Sequence, residues 1–208
     1  MILDKNLVLK PCTAKDVNEA VPLIYASGPD GFEFVFKNDK VSAQDYLKYA
    51  FVKQGGEFSY DNHYALYDGK ELVGVGAVFN KKKAAGFTFK DGFNIIKFYG
   101  FGFLPRALNG LKAETIIKLP AKNEIVLAHL GIKEGLRGKG YGTSLINELM
   151  KVANKTESEY FVLDVSEENP KAQKLYERLG FQVFKNYVSK FKNKYSYLPN
   201  HSRMELKN

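Results

Sequence analysis

The stretch between residues 124 and 153 limits most strongly what this chain can fold into. Glu124 opens a run, Ile125-Val-Leu-Ala-His-Leu-Gly-Ile132, whose length and near-continuous apolarity read as a strand covered on both faces. A glycine-rich loop follows, and then a helix whose Leu145, Ile146, Leu149, Met150 and Ala153 recur at helical spacing. Strand, tight loop and helix in that order set a helix N-terminus beside backbone that glycine leaves open to close approach. In Arg137-Gly138-Lys139-Gly140-Tyr141-Gly142-Thr143 the N–H groups and the dipole converge on one place, and two cations add to the field. The loop reads as a phosphate site; a glycine-rich turn with solvated cations is the plainer alternative.

Two known phosphate loops do not fit. A Walker loop needs Ser or Thr after its Gly-Lys, and Lys139 is followed by Gly140. A dinucleotide fingerprint needs a third glycine where Thr143 stands.

The rest of the chain surrounds this unit with alternating elements. Leu7-Val8-Leu9 reads as a short strand, and Thr13 with Asp16 as a capping signal for a helix to about Ala26. Ser27 to Gly31 is a dense breaker cluster, and Ser42 with Asp45 caps a second helix through Phe51. His63–Tyr67 and Glu71–Phe79 flank Asp68-Gly69-Lys70, the signature of a hairpin. Tyr160–Val165 is a further strand, Asn169-Pro170 opens a helix that Gly180 closes, and Phe181–Val188 and Arg203–Leu206 supply final strands. Residues 80–123, with Lys81-Lys82-Lys83 and scattered aromatics, are too apolar for a linker.

At 208 residues the chain supports one core rather than two separate ones. Its single cysteine, Cys12, excludes an intrachain disulfide and cysteine-rich zinc motifs, and points to a reducing compartment such as a bacterial-type cytoplasm. Charges interrupt Met1 to Asp16, so neither a secretory leader nor a membrane span is read there, and no membrane partner is expected. The formal charge of +8 suits an anionic ligand, either nucleic acid or a phosphorylated cofactor.

Arg137-x-x-Gly140-x-Gly142 after a buried strand, with Asn169-Pro-Lys-Ala-Gln-Lys-Leu-Tyr-Glu-Arg-Leu-Gly-Phe181 downstream, resembles the GNAT superfamily of acetyl-CoA-dependent N-acetyltransferases. The resemblance is strongest over 124–181, the acetyl-CoA-binding core of one domain spanning 1–208. It implies an α/β (α+β) fold with a mixed central sheet of about six to seven strands flanked by helices. Residues 80–123 would then be an insertion between the third and fourth strands, where the family has a short turn. Its aromatics would cover the acceptor pocket, form a homodimer surface or pack on the sheet.

By the same resemblance the backbone of Gly138, Lys139, Gly140, Tyr141, Gly142 and Thr143, opened by Arg137, would hold the coenzyme pyrophosphate. Leu130, Gly131 and Ile132 would pair with the pantetheine arm as an added strand does, Leu130 and Ile132 also serving as core side chains. Asn169 is either a simple cap or a cap that also touches pantetheine, and Tyr176 either a packed, cofactor-bonded tyrosine or the general acid for the departing thiolate. Glu124 occupies the place at which the histone acetyltransferase branch carries its glutamate base; a solvated strand-end carboxylate is the alternative. Strand alternation sets Glu124, Val126 and Ala128 on one face and His129 on the other, where it reads as a core histidine. Other members carry catalytic histidines where Val126 and Ala128 stand, so that version is absent.

The function expected is acetyl transfer from acetyl-CoA, as co-substrate and without a metal, to a primary amine of a small molecule or protein. A coenzyme A sensor without turnover is the first alternative. An RNA binder is the second, because Tyr99-Gly-Phe-Gly-Phe103 has the aromatic spacing of an RNA-recognition strand; it lacks the leading basic residue and Pro105 follows, so no nucleic-acid partner is expected.

Overall fold

The computed structural model describes residues 6–153 and 158–208, so the first five residues of the stretch read for a leader lie outside the described residues. The strands are β1 (Leu7–Pro11), β2 (His63–Asp68), β3 (Glu71–Asn80), β4 (Glu124–Ile132), β5 (Tyr160–Ser166), β6 (Gln182–Tyr187) and β7 (His201–Lys207). They form one mixed sheet in the order β1-β2-β3-β4-β5-β7-β6. β4 and β5 run parallel, and the other neighbouring pairs are antiparallel. The hairpin turns where the sequence places it, with Gly69 at φ +61°.

Helices cover both faces. On one face α1 (Val17–Ala26), α2 (Pro29–Phe36) and α3 (Ala43–Phe51) bury Leu23, Ile24, Phe34, Tyr46 and Phe51 against Val75 of β3. On the other, α7 (Tyr141–Ala153) and α8 (Pro170–Arg178) bury Leu145, Leu149 and Tyr176 against Ile125, Leu127 and Leu163. The breaker cluster at 27–31 hides a helix start. Ser27 and Gly28 end α1, and Pro29, whose fixed φ suits a first turn, opens α2 at once.

Residues 81–123 stand between β3 and β4 as three helices: α4 (Lys81–Ala84), α5 (Phe87–Tyr99) and α6 (Phe103–Glu114). Side chains from α5 and α6 satisfy the carbonyls that the end of α2 leaves unpaired. The Tyr99 hydroxyl donates to Phe36 O at 2.6 Å, Arg106 Nη2 to Lys37 O at 2.7 Å and Asn109 Nδ2 to Phe34 O at 3.0 Å.

Candidate functional site

The sheet opens inside itself. β4 pairs with β5 over Glu124–Val126 against Tyr160–Val162 and then parts from it, while β4 stays paired to β3 as far as Ile132. From Leu127 to Ile132 the β5-facing edge of β4 is thus an unpaired strand edge within the sheet, a template for one more extended chain. Leu130 and Ile132 turn their side chains into the α7 core. Gly131 is glycine for a steric reason, because a Cβ there would run into the carbonyl of Leu23 in α1.

The glycine loop lies at the end of this edge. Gly138 and Gly140 hold φ of +76° and +86°, and a Cβ at either would meet no atom within 4 Å, so the glycines serve backbone conformation and leave open space outside. Gly142 packs α7 against α8, where a Cβ would stand 3.0 Å from Leu175. The Tyr141 side chain turns away and donates to Asp68 Oδ2 at 2.6 Å, tying the first turn of α7 to the hairpin. Arg137 is exposed and its Nε donates to Ile132 O at 3.3 Å; Lys139 is exposed and Thr143 half-buried. The opening turn of a 13-residue helix therefore presents its N–H groups beside two exposed cations, and these residues fit a pyrophosphate.

At the other end of the open edge β4 carries a bulge. Val75 pairs with Gly131 but Ala77 with Ala128, so His129 and Leu130 together stand opposite Gly76. His129 has φ +54°, the one positive φ at a non-glycine among the described residues. A bulge inserts a residue and reverses the alternation beyond it. The face expected for His129 is accordingly corrected: its ring lies not with Ile125 and Leu127 but on the opposite face, 5.2 Å from Phe58 and 6.1 Å from Phe32.

There it joins two hydrogen bonds to an ion-pair contact. His63 Nδ1 lies 2.7 Å from Ser59 O, His63 Nε2 lies 3.0 Å from His129 Nδ1, and His129 Nε2 faces Glu57 Oε1 at 3.5 Å. Because a carbonyl only accepts, His63 carries its proton on Nδ1 and accepts through Nε2. His129 then donates through Nδ1, which leaves Nε2 as the ring atom that faces Glu57. The side chain of His129 is 10 % exposed and that of Glu57 32 %. The Glu57 N–H donates to Asp91 Oδ2 at 2.9 Å, and burial together with the Glu57 charge pushes the Asp91 carboxyl up to about 7. Sequence patterning misses this assembly, since its members come from β2, β4, a loop and the 81–123 segment, and its two histidines stand 66 positions apart.

Glu124, expected as the base, sits where β4 and β5 are still paired. Its Oε2 accepts from Arg203 Nη2 at 2.7 Å and from the Ala121 N–H at 2.9 Å. Arg203, 3 % exposed, also donates to Asp164 Oδ2 at 2.9 Å and Lys118 O at 3.0 Å. Asn169 caps α8 by accepting from the Ala172 N–H at 3.1 Å. Tyr176 is buried with its ring 6.3 Å from Phe181, and burial pushes its hydroxyl up to about 12, which keeps the phenol protonated near neutrality. Cys12 is buried, with its N–H donating to His63 O at 2.9 Å, and burial, then the Asp16 charge, pushes its thiol up to about 12, the state of an unreactive thiol.

Burial, then the neighbouring His129, pushes His63 from 6.5 down to about 3. Between those values the unfolded chain binds a proton that the folded chain refuses, so stability falls on acidification through this group. The buried Asp91 and Asp164, raised to about 7 and about 6, act in the opposite direction. Comparing His63→Asn with the parent isolates the histidine: urea unfolding at pH 7 and pH 4 is expected to give a larger loss on acidification for the parent, and equal losses would refute the assignment.

Known proteins share this architecture. Chains similar in fold include an N-acetyltransferase from Staphylococcus aureus Mu50 (17 % identity over 96 % of this chain and 100 % of that one, TM-score 0.70). A protein described as an acetyltransferase matches at 18 % identity over 96 % and 98 % of the two chains, TM-score 0.67. A spermidine N-acetyltransferase SpeG chimera from Vibrio cholerae and hSSAT matches at 18 % identity over 97 % and 95 %, TM-score 0.56. No curated protein matches by sequence. Residues 32–181, well over half of the chain and inclusive of the bulged strand, the glycine loop and α8, match the family described as the Acetyltransferase (GNAT) family, and to that family the chain belongs.

Proposed function

We propose that the protein transfers the acetyl group of acetyl-CoA directly to a primary amine. The observation that carries this reading is the open edge of β4, which runs from the glycine loop down to His129. In this reading the N–H groups of Gly138 to Thr143, with Arg137 and Lys139, hold the pyrophosphate. The backbone of Leu130, Gly131 and Ile132 pairs with the pantetheine arm, Asn169 touches it from the cap of α8, and the co-substrate supplies the acyl carbon as a thioester.

An alkylamine is mostly protonated near neutrality and must lose a proton before it attacks. His129 takes that proton at Nε2, where the Glu57 carboxylate stabilises the imidazolium, and His63 holds the ring in the needed tautomer. As the new C–N bond forms and the C–S bond breaks, Tyr176 passes a proton to the departing sulfur, replaced by the second proton of the amine. The first leaves from His129 through the more exposed Glu57, so one proton is released per turnover. Asp91 beside Glu57 suits an acceptor bearing positive charge. Glu124, already committed to Arg203, acts as a positioning carboxylate, and the role of base passes to His129.

Thermal unfolding with acetyl-CoA, coenzyme A and ATP tests the reading. A ligand at 100 times its dissociation constant adds about 2.7 kcal/mol, a rise of about 5–11 °C for a chain of this size. Both coenzymes are expected to give that rise and ATP none; no rise with either would overturn the cofactor. Gly140→Val forces a β-branched residue to φ +86° and is expected to weaken the acetyl-CoA effect tenfold or more in concentration, roughly the strain of such a residue. An amine panel with thiol detection then separates an enzyme from a sensor.

A further inference from the structure

Segment 80–123 carries nine Lys and Arg against two Asp and Glu, a balance of +7 out of the chain's +8. It also exposes apolar side chains in register. On α5, Phe89 is 80 % exposed, and Phe93 and Ile96 continue the same stripe at the next turns. On α6, Leu104, Leu108 and Leu111 repeat the spacing, and Phe101 stands fully exposed at the joint between the helices. The inner sides are anchored: Phe87, Asn94 and Ile95 of α5 and Arg106 of α6 are buried, and Tyr99 and Asn109 bond the end of α2. The outer stripes are therefore held in place rather than awaiting collapse onto the core. Exposed apolar stripes of this kind, on helices already anchored by their other sides, mark a partner.

Charge identifies the partner. Two copies meeting through this face would bring together two segments of +7 each. Nucleic acid would be stacked by aromatic rings, yet half of the stripe residues on α5 and α6 are Leu. Apolar stripes bordered by exposed Lys90, Lys97 and Lys112 match a surface that is oily at one depth and anionic at the next. Asp91 turns inward, accepting from the Glu57 N–H. Among the described residues no helix is long and apolar enough to cross a membrane, which leaves open a helix pair lying flat on one.

We propose that α5 and α6 dock this protein on an anionic lipid surface, Phe89, Phe93 and Phe101 entering the headgroup boundary and the lysines meeting lipid phosphates. The expectation of no membrane partner rested on a missing span, and it is revised here for this face. The proposal does not depend on acetyl transfer.

Sedimentation of the full chain with phosphatidylcholine vesicles, and with vesicles containing 30 mole per cent phosphatidylglycerol, is the test. Binding to the anionic vesicles, weakened by 0.5 M salt and at least roughly tenfold stronger than to the neutral ones, is expected. The triple variant Phe89→Ser, Phe93→Ser, Leu108→Ser should lose that binding at least tenfold while its unfolding temperature stays within about 2 °C of the parent, because these side chains are exposed. Failure to bind anionic vesicles at millimolar lipid overturns the proposal. So does a dimer in sedimentation velocity that the triple variant dissociates, or a poly(U) RNA that displaces the vesicles.

Discussion

His129→Asn is expected to lower kcat for amine acetylation by about 10²-fold or more, the range of a positioned proton acceptor. Asparagine tolerates the positive φ of the bulge and keeps a donor toward His63 Nε2, so the strand and its partner survive while the Nε2 lone pair disappears. The KM for acetyl-CoA and the acetyl-CoA effect on unfolding should change little, since both depend on the glycine loop. The part of the kcat/KM acid limb that the enzyme's base contributes should disappear, leaving only the rise with pH that free amine imposes. A kcat within threefold of the parent, with the acid limb intact, would remove His129 from the role. Nitrogen-15 spectra of the two imidazoles give a check that needs no acceptor: both rings should be the Nδ1–H tautomer, and Nε2–H at His129 would refute the base assignment. The groups facing the pair from other elements are Glu57, with Asp91 behind it, and Lys83, whose charge helps to keep His63 neutral.

Arg203→Met is expected to cost about 3–5 kcal/mol of stability, because removing one partner of a buried ion pair strands the other, and to lower the unfolding temperature by about 6–20 °C. Two carboxylates lose their cation together. Asp164, 5 % exposed, already has its carboxyl pushed up to about 6 by burial despite Arg203, and one of its oxygens has no other partner. Glu124 would keep only the Ala121 N–H. Without the guanidinium the buried Asp164 favours the protonated form still more strongly in the folded than in the unfolded state, so the folded chain binds more protons and the deficit shrinks as pH falls. Denaturant unfolding at pH 8 and pH 5 is the measurement. A deficit equal at both values would mean that Arg203 acts through packing alone. Glu124→Gln separates the two roles of that residue: a positioning carboxylate predicts lower stability with an unchanged acid limb, and a base predicts a lost limb with little change in stability.

The chain's local chemistry made much of this legible. Asp68-Gly69-Lys70 turned as read, Asn169 and Ser42 capped the helices they precede, and the apolar run from Ile125 lay buried between layers. These are short-range matters, decided by φ preferences, side-chain caps and hydrophobic period within a few residues. Pro29 opening a helix was obscured by two breakers beside it, and residues 80–123 resisted reading because their helices bury one side and expose apolar residues on the other, blurring the polar period that marks a surface helix. The pairing partners of Glu124 and His129 were beyond any local rule. Arg203 reaches Glu124 from a strand 79 positions away, and His63 reaches His129 across 66. The sequence by itself determined the family, the glycine loop, the order of the strands and the helices α1, α3, α7 and α8, since each is written in contiguous residues. Only the tertiary structure decided which face His129 takes and which carboxylate is already paired, because one extra residue in the register of β4 against β3 reverses every side chain beyond it, and register is set by the whole sheet.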